Sequence, residues 1–154
     1  MEVGKIPPHD IEAEQAILGC MLTDQDAVVD SIEVLKPEDF YREDNRFIYE
    51  AMSNLYSRGE PIDIITVKAE LTSMQKFEAV GGIEYLATLP DKVPLVSNAD
   101  KYIKIVEEKS ILRKLIKSAD EIEGMGYSQN EEIDNIMDQA EKKIFDIMQG
   151  KNQK

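Results

Sequence analysis

The residues of this chain best suited to chemistry are its acids and its single histidine, His9. Neighbouring acids such as Glu12 and Glu14 could bind a divalent cation or exchange a proton. A helical di-metal site also needs Glu-x-x-His motifs, however, and the sequence contains none. Since the chain has 31 acids in 154 residues, neighbouring acids are expected by chance. The pattern therefore predicts no catalytic residue, no metal ligand and no bound cofactor.

Nucleotide and zinc sites are not indicated either. The one glycine doublet, Gly81-Gly82, is followed by Ile-Glu-Tyr-Leu and lacks the lysine of a phosphate-binding loop. A zinc cluster needs several cysteines or histidines, and Cys20 is the one cysteine in the chain. Cys20 lies in an apolar run, which predicts a small buried side chain. The chain by itself is therefore predicted not to be an enzyme.

Charge and hydropathy argue against two classes of partner, nucleic acid and membrane. The formal net charge is −13, and residues 1–97 hold 19 acids and 8 bases, whereas residues 98–154 hold 12 acids and 10 bases. A module that grips DNA needs bases to displace counterions from the phosphates, so we expect weak or no direct DNA binding. No apolar run approaches the roughly 18 residues that cross a bilayer, and no signal peptide is visible, which predicts a cytoplasmic protein.

An all-α fold is predicted by helix-start signals and by apolar residues at helical spacing. Asp10 and Asp63 can each cap a helix by accepting backbone N–H groups. The run Ile62–Val67 could also form a strand, but no second strand is visible to pair with it, so the helix is favoured. Residues 1–97 are expected to form a globular bundle of about six short helices. These run from Asp10 to about Leu22 and from Asp24 to Leu35, and then cover Phe47–Leu55, Asp63–Leu71, Met74–Val80 and Ile83–Leu89.

From residue 98 the pattern changes to two long amphipathic helices. Apolar side chains recur at helical spacing over residues 98–123, and the sequence Gly124-Met125-Gly126 is expected to break this helix. Ser128 and Glu131 then have the spacing of a capping box, which predicts that a second helix starts there and runs to Gly150. Two long helices joined by a short turn predict a long antiparallel helical hairpin over residues 98–150, followed by a polar tail at 151–154.

The two long helices carry more apolar residues than a hairpin can bury. The expected register sets Lys117 level with Ile133 and Lys109 level with Glu141, so that bases of the first helix face acids of the second. Apolar surface left over predicts that hairpins associate with each other, most simply as a symmetric pair. The residues expected to pack within the hairpin or its oligomer are Leu115, Ala119, Ile133, Met137, Ala140, Ile144 and Ile147.

Five segments that together span nearly the whole chain carry a family resemblance. They are Ile6–Gly19, Lys36–Tyr41, Arg58–Asp63, Val80–Leu86 and Tyr102–Lys109. In this order they resemble the N-terminal domain of bacterial replicative DNA helicases of the DnaB family. The resemblance implies a helical head and a helical hairpin that act in DNA replication as a non-catalytic domain. It also implies that the ATPase domain, with its ATP and Mg²⁺, lies beyond a linker and is absent from this chain.

The same resemblance implies protein partners. Hairpins would pair, and three pairs would build a collar on a hexameric helicase ring. The C-terminal domain of primase would dock on this collar in the primosome, and a helicase loader is a further candidate. Matching positions imply that the primase-binding residues are Glu12, Tyr85, Arg113, Ile116 and Ile122. For Tyr85 and Ile116 a place in the core is the alternative, because both also fit apolar stripes.

Three other functions compete with this interpretation. The chain could be a free-standing adaptor or inhibitor that mimics the helicase head and occupies its partners. It could instead be a helix-turn-helix DNA-binding protein, although the acidic balance of residues 1–97 argues against that. A carboxylate-metal enzyme is the third, and it lacks the histidines that such a site requires.

Overall fold

The computed structural model describes residues 5–93 and 99–152, with side chains described as far as Gly150. Within these ranges it contains seven α-helices, two short 3₁₀-helices and no strand, which confirms the predicted all-α class. The α-helices are α1 (Ile11–Thr23), α2 (Gln25–Val34), α3 (Glu43–Ser57), α4 (Ile64–Ser73), α5 (Gly82–Thr88), α6 (Ala99–Ser128) and α7 (Ile133–Asn152). The 3₁₀-helices are Pro37–Asp39 and Leu89–Lys92.

The chain divides into two compact units. The head unit is His9–Glu108, and the hairpin unit consists of residues 1–8 together with residues 109–154. Helix α6 contributes residues 99–108 to the head unit and its remainder to the hairpin unit. The boundary expected between residues 97 and 98 lies outside the described residues.

Helices α1 and α4 of the head unit begin where aspartates satisfy free backbone N–H groups. The carboxylate of Asp10 accepts from the N–H of Ala13 at 2.9 Å, at the start of α1. At the start of α4, Asp63 accepts from the N–H of Thr66 at 2.8 Å, and the Thr66 hydroxyl accepts in return from the N–H of Asp63 at 2.9 Å. Both predicted caps are confirmed, and the run after Asp63 is a helix rather than a strand.

Helix α1 lies at the centre of the head and is buried on most of its circumference. Ile17 and Leu18 have no exposed surface, and Cys20 is buried as expected, which raises the pKa of its thiol. Gly19 allows α1 to pack closely, because a Cβ atom there would overlap the carbonyl oxygen of Leu89. The hydroxyl of buried Tyr49 lies 3.0 Å from the carbonyl oxygen of Ser31 in α2. It lies 2.9 Å from the carbonyl oxygen of Leu35, which directly follows α2.

The helix expected over Met74–Val80 is wrong, because these residues form turns. Helix α4 ends at Ser73, and Gln75 then adopts a left-handed backbone with φ of 60°. The apolar spacing of this segment has another cause: Val80 is buried, and Met74 and Phe77 pack against the core from irregular backbone. Before α6, residues 5–93 therefore form five α-helices and two 3₁₀-helices, where about six short helices were expected.

The predicted break at Gly124-Met125-Gly126 is also wrong, because α6 continues through both glycines to Ser128. A glycine inside a helix costs only about 1 kcal/mol relative to alanine, which the packing of a long helix can offset. The helix ends instead at Gln129, whose φ is 51°. The Ser128 hydroxyl donates to the carbonyl of Met125 at 3.2 Å within α6, so it does not cap α7, which begins at Ile133 and extends past Gly150 to Asn152.

This later turn changes the register of the hairpin. The expected register would set Glu121 level with Gln129, whereas the Oε1 atom of Glu121 lies 3.1 Å from the Nζ atom of Lys143. An acid of α6 thus pairs with a base of α7, which is the reverse of the expected arrangement. The position of the turn determines which residues of α6 and α7 lie opposite each other, because a turn that is shifted by several residues changes every cross-helix pair.

Candidate protein-interaction surfaces

A buried carboxylate organises the polar part of the head unit. Glu14 of α1 is only 1% exposed, and its carboxylate accepts from the backbone N–H of Tyr41 at 2.7 Å and from the side-chain amide of Asn45 at 3.0 Å. A buried charge is stable only when it is hydrogen-bonded in this way. The contacts join α1 to the segment that leads into α3. From the sequence, Glu14 was identified only as an acid in the first turn of a helix. Its position does not indicate that it contacts residues that are distant along the chain.

Tyr85, an expected primase contact, belongs to the same network. Its hydroxyl donates to the Asn45 side-chain oxygen and accepts from the side-chain amide of Gln15 at 3.1 Å. The guanidinium of Arg42 lies 5.1 Å from the centre of the Tyr85 ring. Burial raises the pKa of Tyr85, so the hydroxyl remains a donor at neutral pH. Tyr85 is half-buried, and its polar atom is used inside the head unit.

Glu12 lies near this network but is exposed. It occupies the first turn of α1, three residues before Gln15, and residues at that spacing share one side of a helix.

The other three expected primase contacts lie on the hairpin unit, along α6. The Nη1 atom of half-buried Arg113 donates to the carbonyl oxygen of Pro8 at 2.8 Å. Ile116 is 40% exposed and borders a shallow depression with Ala119, Asp120 and Glu123. Ile122 is half-buried. Of the three, Ile116 is therefore the apolar side chain that is most available to a partner.

The hairpin unit leaves many large apolar side chains exposed. Of the expected packing residues, Ala140 and Ile147 are half-buried and Ala119 is exposed. Leu115 is 44%, Ile133 69%, Met137 60% and Ile144 38% exposed. Leu112, Phe145 and Met148 are also exposed.

Six of these exposed residues lie on one face of the hairpin. Since a helix advances about 100° per residue, Leu115, Ala119 and Leu112 lie roughly 20° to 80° to one side of half-buried Ile122 on α6. On α7, Ile144, Met137 and Met148 lie roughly 40° to 80° to the same rotational side of half-buried Ala140. Because the two helices are antiparallel, equal rotational senses point to the same face. We call these six residues the apolar face.

Two kinds of site are missing from the described residues. Among residues 5–93 and 99–152, no group of three or more histidine, cysteine or acidic side chains is arranged to hold a metal ion. Within the same ranges, every helix is too short or too polar to span a lipid bilayer.

Comparison with known proteins decides the family. The model of the DnaB-like helicase N-terminal domain matches residues 6–108, which is more than half of the chain. The chain belongs to this family. The match covers α1 to α5 and the first part of α6, and thus includes the Glu14 network and Tyr85.

A curated relative extends this likeness over the hairpin. The chain is 47% identical over 148 residues to the replicative DNA helicase DnaB of Geobacillus stearothermophilus. The alignment covers 96% of this chain and 33% of that helicase. The chain therefore spans about a third of the length of the relative that it matches.

Solved structures of the DnaB family have the same fold. The N-terminal domain of DnaB helicase from Mycobacterium tuberculosis matches with a TM-score of 0.85 and 41% identity, over 92% of this chain and 99% of that one. A DnaB-like replicative helicase, described together with its interactions with primase, matches with a TM-score of 0.74 and 25% identity. That alignment covers 90% of this chain and 31% of the helicase chain.

Proposed function

We propose that this chain is the N-terminal scaffold domain of a bacterial replicative DNA helicase, which assembles with copies of itself and docks primase. Family membership and the 47% identity to a replicative helicase support the parent activity. ATP-driven unwinding would lie in the part of the relatives that this chain does not span. The proposal places the protein in the bacterial cytoplasm, where the chromosome is replicated.

The apolar face is the observation that carries the assembly role. Exposed apolar patches of this kind usually mark protein interfaces, and a symmetric pair buries the same patch from both copies. Charge favours the same contact, because residues 98–154 hold 12 acids and 10 bases whereas residues 1–97 hold 19 and 8. Two copies therefore repel each other least when they meet through their hairpins. Three such pairs would form the collar of a hexameric ring.

Sedimentation of residues 1–154 tests the assembly role. We expect a dimer that dissociates on dilution through the micromolar range, since the interface consists of one helical hairpin per copy. A strict monomer at tens of micromolar would contradict the proposal.

Primase docking is supported by the likeness to a helicase whose structure is described with primase interactions. Glu12 and Ile116 are the exposed members of the expected contact set, whereas Tyr85 and Arg113 also hold other parts of the chain in place. The acidic head should also attract basic surfaces of a partner. A helicase loader is a second partner that could use such a surface, and direct DNA binding should be weak.

A matched pair of substitutions tests primase docking. Ile116→Asp should weaken binding of a primase C-terminal fragment, measured by calorimetry, by about 1–3 kcal/mol if Ile116 is a central contact. Ile65→Asp is the control, because Ile65 is 79% exposed on α4 and receives the same change. Equal affinities for both variants would remove Ile116 from the contact set. No measurable binding by the unaltered chain would contradict the docking role itself.

A further inference from the structure

The cross-helix ion pair of the hairpin lies at an unexpected place. Lys143 follows half-buried Ile136 and Ala140 and precedes half-buried Ile147, at the spacing of the α7 side that packs on α6. Its side chain is only 32% exposed, and its Nζ atom lies 3.1 Å from the Oε1 atom of Glu121. A lysine thus occupies a position where a packed helix pair would normally place an apolar residue.

A more apolar side of α7 was available for the same contact. Ile133, Met137, Ala140, Ile144 and Ile147 have the spacing of a helix-packing stripe, and its centre lies roughly 50° around the helix from the side that is used. Turning α7 by that angle would bury Met137 and Ile144, which are now 60% and 38% exposed, and would move Lys143 away from Glu121. Burial of these two side chains favours that turn, whereas the accompanying exposure of half-buried Ile136 opposes it, so the two packings are similar in apolar burial.

The ion pair and the apolar face lie on opposite edges of the hairpin. Lys143 and Glu121 lie roughly 60° and 100° from Ala140 and Ile122, in the rotational sense opposite to that of the apolar face. If α7 turned, Met137 and Ile144 would leave the apolar face, and of its three α7 residues only Met148 would stay. Polar residues within helix interfaces are known to select register and partner in this way.

We infer that the Glu121–Lys143 ion pair sets the rotation of α7 and so keeps the apolar face free for a second copy of this chain. Its small intrinsic strength as a half-exposed pair does not prevent this, because the pair only has to decide between two similar packings. The inference rests on the proposed self-association, and it assigns to Lys143 a positioning role that packing within one chain does not require.

A charge swap tests the inference on the full chain. Lys143→Glu should raise the dimer dissociation constant, measured by sedimentation equilibrium, at least tenfold, because Glu121 would then repel α7. The double variant Glu121→Lys with Lys143→Glu should return to within threefold of the unaltered chain. Lys142→Glu is the matched control, since Lys142 is 74% exposed, pairs only along α7 with Asp146 in the described contacts, and receives the same change of charge. It should also stay within threefold.

A cysteine-labelling experiment measures the rotation of α7 independently of dimer formation. In the Met137→Cys variant, a thiol reagent should modify the new cysteine quickly in dilute monomer. Adding Lys143→Glu should slow this modification several-fold, because residue 137 would then be buried. Cys20 is buried and should react slowly in both variants. Failure of the double variant to recover, an equal effect of Lys142→Glu, or unchanged labelling would each overturn the inference. A monomeric unaltered chain would instead remove the proposed self-association, while the labelling arm still decides whether the pair sets the rotation.

Discussion

The head and the hairpin differ in how much of their apolar surface they bury. The head unit buries its large apolar residues around α1 and ties the deeply buried carboxylate of Glu14 to three backbone and side-chain donors. The hairpin unit leaves Met137, Ile144 and their neighbours in solvent. A unit that completes its own core is stable alone, whereas a unit with surplus apolar surface gains stability from a partner. The same chain therefore combines a head with its own buried core and a hairpin whose exposed apolar surface fits the proposed assembly role.

The largest effect should come from the core of the head. Ile17→Ala removes a side chain with no exposed surface, and it should lower the free energy of unfolding by about 4 kcal/mol. Urea denaturation followed by circular dichroism measures this. A loss below about 1 kcal/mol would mean that the head relaxes around the cavity and is not the tightly packed unit described above.

A smaller loss is expected from the buried polar network. Glu14→Gln keeps the shape of the side chain but turns one of its two acceptor oxygens into an amide donor, which would face the N–H group of either Tyr41 or Arg42. We expect the free energy of unfolding to fall by about 2 kcal/mol, since hydrogen bonds to charged groups are lost. Glu12→Gln, on the exposed side of α1, is the control and should change stability little. Similar losses for both variants would show that general charge, rather than this network, matters.

The hairpin should show the reverse phenotype. Ile144→Ala makes the same change as Ile17→Ala at a side chain that is 38% exposed. In dilute monomer we expect it to lower the stability of the chain only slightly, whereas the dimer dissociation constant should rise about tenfold, which corresponds to about 1.4 kcal/mol. Sedimentation equilibrium and urea denaturation together separate the two effects. If stability falls and association is unchanged, the contrast between head and hairpin fails.

The smallest effect concerns acid sensitivity of the head. A hydrogen-bonded ion pair with Arg58 lowers the pKa of Glu70 from its ordinary value of 4.5. A lowered pKa stabilises the folded state fully above the ordinary value, and that contribution is lost as the pH falls through the lowered value. Glu70→Gln should therefore flatten the fall in melting temperature below about pH 4.5, where the pair is lost in the unaltered chain. Glu84→Gln, which replaces an exposed carboxyl, is the control and should leave the fall in melting temperature at acid pH unchanged.

Local signals in the sequence determined most of the head. Aspartates at positions 10 and 63, together with apolar residues at helical spacing, placed α1 and α4, because caps and amphipathic stripes act within a few residues of each other. The same signals predicted a helix over Met74–Val80, where the tertiary structure has turns. The Glu14–Asn45–Tyr85 network was not predicted, since its members are 31 and 40 residues apart and share no spacing rule.

For the hairpin, the sequence alone determined two long amphipathic helices and a surplus of apolar residues. It did not determine the position of the turn, because the cost of Gly124 and Gly126 inside a helix is small compared with the packing of α6 as a whole. Nor did it determine which side of α7 packs within the chain. Tertiary structure decided that choice: the side of α7 that packs carries Lys143, which contacts Glu121 across the hairpin, and no spacing rule in the sequence marks that pair.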